Sequence, residues 1–276
     1  MNKIVWAVFL SAWLCLATGC IDHSTLISLE RDGSGQIVQT TYMSAMAASM
    51  MAGMGGEGVD SLVDEQQARA KTATFGKGVR FVSVSPVSKP DGSKGGRAVY
   101  AFDDINSLQI SMDQMDEDSV MGMSMESEEE EGAMFFVFDY TPGNLVIKRP
   151  AMDEEDDVAM EMERAGDDQA TMAEEMGKQM MEGLLPMLKG MRIQIAVEVP
   201  DAIRKTNASH IQSDSENGVD RQIVLMDFDL DKLLDHPEGM DYLLKMQDDA
   251  HFKKMAEQLG NAGIRVEAEE TVTVEF

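Results

Sequence analysis

A chain of 276 residues, 43% of them hydrophobic, is long enough to bury a sizeable core in one large domain or two small ones. Its net charge of −27, from 50 acids against 23 bases, argues against a nucleic-acid partner, whose phosphates would be repelled. The same balance removes any polybasic help in binding anionic lipid, so attachment to a membrane would have to rest on apolar groups.

The first element is a segment for export. Lys3 is followed by a nearly unbroken apolar run, Ile4 to Leu16, and then by the small residues Ala17, Thr18 and Gly19. A basic start, an apolar core and a small-residue exit are the three parts of a signal peptide, and the run is well short of the roughly 20 residues that span a bilayer. The exit, Leu16-Ala17-Thr18-Gly19-Cys20, resembles the lipobox of bacterial lipoproteins, with Ala17 where Leu is usual three places before the cysteine. That resemblance implies cleavage between Gly19 and Cys20 and acylation of the Cys20 thiol, the anchor to the membrane. Each buried methylene of such a chain contributes ~0.8 kcal/mol, and a multiply acylated cysteine supplies the two signals that stable attachment needs. Cys15 would leave with the signal, so the mature chain has no second cysteine for a disulfide. Ile21 rather than Asp after the cysteine favours, in the lipoproteins of two-membrane bacteria, the periplasmic side of the outer membrane.

Residues 20–24 read as a short tether. Thr25–Glu30 and Gln36–Tyr42 are rich in Ile, Val and Thr and flank Arg31-Asp32-Gly33-Ser34-Gly35, a hairpin pattern. Met43–Met54 is rich in Ala and Met and reads as a helix; Ser61–Phe75 reads as a second, with Asp60 or Ser61 as its N-cap. Val79–Val87 and Arg97–Phe102 form another hairpin across a Pro-Asp-Gly turn. Asp103–Leu108 reads as one helical turn, and Ala133–Tyr140 and Asn144–Arg149 as two more strands. Met172, Met176 and Met180 recur at helical spacing in Asp168–Leu185. Met191–Val199 alternates cleanly and predicts a half-buried strand. Weaker strands at His210–Gln212 and Gln222–Phe228 precede helices at Leu230–Asp235, Pro237–Gln247 and Asp249–Leu259, and Ile264–Phe276 reads as one closing strand.

Hairpins interrupted by helices, without regular βαβ alternation, predict a single α+β domain over 25–276: a mostly antiparallel sheet with several packed helices. Two acidic blocks stand apart as flexible insertions, at about 113–132 and 150–167. Asp113–Glu131 holds nine acids and no base, and Asp153–Asp168 nine acids and one base; such runs repel and stay solvated.

Few residues point to chemistry. Of 25 methionines, Met121, Met123 and Met125 stand two apart in a charged segment, where soft thioethers would select Cu(I). Met43, Met46, Met50, Met51 and Met54 form a second cluster, although methionine also fills irregular core gaps. Gly53, Gly55 and Gly58 match a dinucleotide-binding glycine pattern but follow an Ala/Met helix rather than a strand, and Glu57 would repel phosphate. The stretch around Gly218 fails as a calcium loop, having Ser213 and Ser215 where acids belong. His23, His210, His236 and His251 are scattered and read as surface residues, so no catalytic constellation and no cofactor is expected.

The order of features in Thr25–Leu108 and Arg192–Leu234 is similar to that of the mycobacterial LppM-type envelope lipoproteins. A first hairpin turns at "DGSG"; "KGVRFVSVSPVSKPDGSKGGRAVYAFDDINSL" follows; "VEVPDAIRKTNASHIQSDSENGVDRQIVLMDFDLDKL" comes later. The acidic insertions and the methionine content depart from that layout. The resemblance implies an α+β domain at an envelope surface with no active site to carry over. The sequence therefore predicts a non-enzymatic envelope lipoprotein that binds a partner protein or an apolar, lipid-like ligand. A periplasmic Cu(I)-binding protein using Met121, Met123 and Met125, and an enzyme with an unrecognised site, are the alternatives.

Overall fold

The computed structural model describes residues 21–53, 58–111, 135–149, 189–213, 218–239 and 252–276. The predicted signal, both acidic blocks and the helix at Asp168–Leu185 lie outside these residues, as does most of the helix at Pro237–Gln247.

Strand β1 (Ile21–Leu29) and strand β2 (Gly35–Met43) form the expected hairpin, in register from Leu29↔Gly35 to Ile21↔Met43. Its turn is made by Gly33, at φ 90°, a conformation that costs glycine nothing. Asp32 accepts hydrogen bonds from the Ser34 hydroxyl and N–H, and these hold its carboxylate below the usual range. The four residues read as a tether after Cys20 are ordered strand: β1 is paired from Ile21 onward.

The second hairpin, β3 (Arg80–Ser88) and β4 (Lys94–Phe102), also forms as predicted, and β4 pairs with β2. The next strands are β5 (Gln109–Ser111), β6 (Phe135–Thr141), β7 (Asn144–Lys148), β8 (Arg192–Glu198), β9 (Lys205–Thr206), β10 (Ile211–Ser213) and β11 (Asp220–Asp229). The segment read as one closing strand is split into β12 (Arg265–Val266) and β13 (Thr271–Glu275).

These strands make two sheets. The first, of eight strands, runs β10-β11-β8-β1-β2-β4-β3, with β12 also on the β11 edge. Its pairs are antiparallel except β1 with β8, which are parallel, for instance Leu26↔Ala196. The second, β5-β6-β7-β13-β9, is antiparallel throughout. Alternation puts Ile27, Ile37, Tyr100, Phe102, Ile195 and Val197 on one face of the first sheet. They share a core with Phe136, Phe138, Leu145, Ile147, Val272 and Val274 of the second. Full burial of each such side chain contributes roughly 1.5–3 kcal/mol. β8 keeps the predicted sidedness, with Ile195 and Val197 buried and Arg192, Gln194 and Glu198 only partly so, except that Ala196 on the more open face is buried as well.

Among the described residues the helices are short: α1 (Ala45–Gly53), α2 (Glu65–Ala70), α3 (Leu230–Asp235) and α4 (Phe252–Asn261). The helix predicted over Ser61–Phe75 is broken into a 3₁₀ segment, Gly58–Val63, then α2, then a second 3₁₀ segment, Lys71–Phe75. Asp64 makes the break by capping α2, accepting from the N–H groups of Gln66 and Gln67 at 2.7 and 2.9 Å. The α+β class expected from sequence, one mostly antiparallel sheet with several packed helices, is therefore corrected: the described chain is mostly strand, in two sheets around one core. Helices α3 and α4 close a smaller core with Leu230, Leu233, Leu259 and Ile264.

Tyr140 ties the second sheet to the first hairpin. Its hydroxyl donates to the Arg31 carbonyl at 2.6 Å and its ring lies under Gly33. Tyr140→Phe should lower stability by about 1 kcal/mol, the net worth of one such bond. An unchanged urea midpoint would show that the bond contributes nothing.

Candidate functional site

Beyond the end of the second sheet, the inner face of the first continues as a cleft of about 90 Å³. Strand alternation builds it. Ile21 and His23 from β1, Gln39, Thr41 and Met43 from β2, Gly96, Ala98 and Tyr100 from β4, and Ile193 from β8 share this face. The 3₁₀ segment Gly58–Val63, α2 with its cap Asp64, and the start of the second 3₁₀ segment roof it through Ser61, Leu62, Asp64, Gln67, Ala68 and Lys71. The roof can sit so low because Gly96 carries no side chain: a Cβ there would lie 1.8 Å from the Leu62 carbonyl oxygen.

The deep wall is polar and satisfied. His23 Nδ1 lies 2.8 Å from the Thr41 hydroxyl and Nε2 3.2 Å from that of Thr25, which also accepts from Gln39 Nε2 at 3.3 Å. Thr25 is only 1% exposed, and its hydroxyl and that of Thr41 fit either imidazole tautomer. Ile21, Met43, Leu62, Ala98 and Met191 make the apolar part of the lining, and Asp64, Gln67, Lys71 and Arg192 add polar and charged groups. The hydrogen bonds with Thr41 and Thr25 fix the orientation of the His23 ring within the wall. His23, read from sequence as a surface residue, is thus a wall of the cleft. The signal was present: His23 shares parity with the buried positions Thr25, Ile27 and Leu29.

On the opposite face, at the same end of the sheet, Asp22 pairs with Lys89, whose ammonium lies 4.5 Å from the Tyr42 ring centre. Next to it, Asp227 is 3% exposed and accepts from Arg192 at 2.8 and 3.1 Å and from Arg265 at 2.6 Å. Burial pushes the Asp227 pKa up; hydrogen bonds and charge from the two guanidiniums outweigh it and hold the carboxylate below its ordinary value. This group joins β8, β11 and β12 and is structural.

Gly19, Cys20, Met121, Met123 and Met125 all lie outside the described residues. In the other methionine cluster, Met43 is buried in the core while Met46 is 62% exposed, so these two do not converge. Among the described residues, no three His, Cys, Asp or Glu side chains are placed to hold a metal ion, and no helix is long and apolar enough to cross a membrane. Asn207 serves the fold: its side chain donates to the Thr271 carbonyl and accepts from the Thr273 N–H.

No family model matches the chain, and no curated protein sequence matches it. Among solved structures, it is similar to the NMR structure of the folded domain of the Mycobacterium tuberculosis LppM protein. The two are 12% identical, the match covers 76% of this chain and 84% of that one, and the TM-score is 0.32.

Proposed function

We propose that this is an exported, non-enzymatic lipoprotein of the cell envelope, anchored through acylated Cys20. Its cleft holds the apolar end of a lipid-like ligand. In a two-membrane bacterium, Ile21 after the anchor favours the periplasmic face of the outer membrane. The observation that carries the reading is the position of the cleft: its apolar wall begins at Ile21, the residue after the proposed anchor. A membrane amphiphile would meet it without the protein leaving the bilayer. Size sets the mode of binding. A water needs roughly 10–15 Å³ of such space, so about 90 Å³ admits one chain end and not a whole lipid.

Native mass spectrometry of the Cys20→Ser protein, purified from cells without detergent, tests this. A fraction of the protein should carry an added mass of lipid size. Protein that is bare as purified, and that takes up no added phospholipid, would remove the ligand from the reading.

A further inference from the structure

We propose that α1 is a second membrane contact, an apolar helix lying in the bilayer interface beside the acylated end of β1. The inference rests on the anchored reading above and adds to it the face of the domain that meets lipid.

Three observations converge on this face. Ile21 pairs with Met43, and α1 begins two residues later at Ala45. Met43 and Ala47 are buried, with Ile21, Ala48, Val59 and Leu62 packed against them. The root of the helix is therefore fixed against the residue that follows Cys20, whose Cα is one peptide step, about 3.8 Å, further on. Charge supplies the second observation: the chain has 73 charged residues counted as 50 acids and 23 bases, yet none lies between Asp32 and Glu57. The outward face of α1 presents Ala45, Met46, Ser49 and Ala52, with Met46 the most exposed large apolar side chain described. Third, exposed Lys94 ends the neighbouring strand opposite Met43, placing a cation at the rim, where phosphate headgroups would lie.

A bilayer fits this surface better than a protein does, because an anchor at Cys20 would bring lipid to the helix before any partner could dock there. At ~1.5 Å per residue, a nine-residue helix is too short to span a membrane or to hold the protein alone. It would set the tilt of the domain and point the cleft mouth, which shares Ile21, Met43 and Leu62 with the root of α1, toward the lipid.

The test uses the acylated mature protein reconstituted into phosphatidylcholine vesicles that contain doxyl-labelled lipid. An environment-sensitive fluorophore is placed at Met46→Cys, with Asp32→Cys in the turn at the far end of β1 as the control. Acylation of Cys20 and loss of Cys15 leave the introduced thiol as the only one to label. Emission at position 46 should be blue-shifted and strongly quenched by the doxyl lipid, and that at 32 neither. Equal, water-like emission at both positions would overturn the proposal. So would a blue shift at 46 without doxyl quenching, which would mark a protein occupant. If the N-terminal peptide carries no acyl mass and the protein does not enter vesicles, the anchor reading fails and this one with it. An empty cleft by native mass spectrometry leaves the quenching result untouched, so the two readings fail separately.

Discussion

Asp227→Ala should lower the stability of the domain by about 3 kcal/mol at pH 7, read as a fall in the urea midpoint with little change in slope. Removing one member of a buried ion pair strands the others, at a typical cost of 3–5 kcal/mol. The lower end applies because Arg192 and Arg265 keep about a third of their side-chain surface in water. Arg265→Met should cost less, since Arg192 still holds the carboxylate with two hydrogen bonds. The pH dependence has a definite sign. The folded-state pKa of Asp227 is below its unfolded value of about 3.9, so its contribution is full above that pH and is lost as pH falls through the folded value. The gap in midpoint between the native protein and Asp227→Asn should therefore narrow between pH 7 and pH 3. A gap of constant size would show that the carboxylate charge is not what stabilises this corner.

The second large effect is expected at Gly96. A Cβ placed 1.8 Å from the Leu62 carbonyl oxygen meets backbone, which cannot swing aside as a side chain would. Gly96→Ala must lift the 3₁₀ segment Gly58–Val63 off β4. Overpacking of this kind costs about 1–3 kcal/mol, offset by roughly 0.4–1 kcal/mol from the smaller entropy of the unfolded alanine chain, so a net loss of roughly 1–1.5 kcal/mol is expected. Faster amide exchange at 58–64 should accompany it, with loss of the lipid-sized added mass that the proposed function expects. Gly260→Ala provides the opposite sign: in α4, with open space around it, it should raise stability by about 0.5–1 kcal/mol. Unchanged exchange in the roof of Gly96→Ala would show that the roof does not rest on that glycine.

Elements with a local code were legible in the sequence. Both N-terminal hairpins announce themselves by alternation around Asp-Gly turns, and α3 has the bounds its sequence predicts, with Asp229 capping it by accepting from the Lys232 N–H. What local signals could not supply is partnership at a distance. Nothing near Leu26 says that it runs parallel to Ala196, some 170 residues on. Helix-forming residues in Ser61–Phe75 read as one helix because propensity does not record that Leu62 must sit against Gly96. Ile264–Phe276 alternates except at Glu270, which falls in the apolar row; near it Glu267 turns inward to accept from the N–H and hydroxyl of Ser209, and the chain changes sheets. The cleft was missed for the same reason: its walls come from β1, β2, β4, β8 and α2, and only the parity of His23 hinted at it.

That change of sheets also bears on the order of assembly. β1 waits for β8 as its parallel neighbour, and β7 and β9 wait for β13 to fill the gap between them. During synthesis, neither sheet can be completed until most of the chain has been made, and pairings of such long range form slowly. For the exported chain proposed above, that delay would be an advantage: the chain would stay threadable during delivery and close once the segment that stitches the two sheets had arrived on the far side.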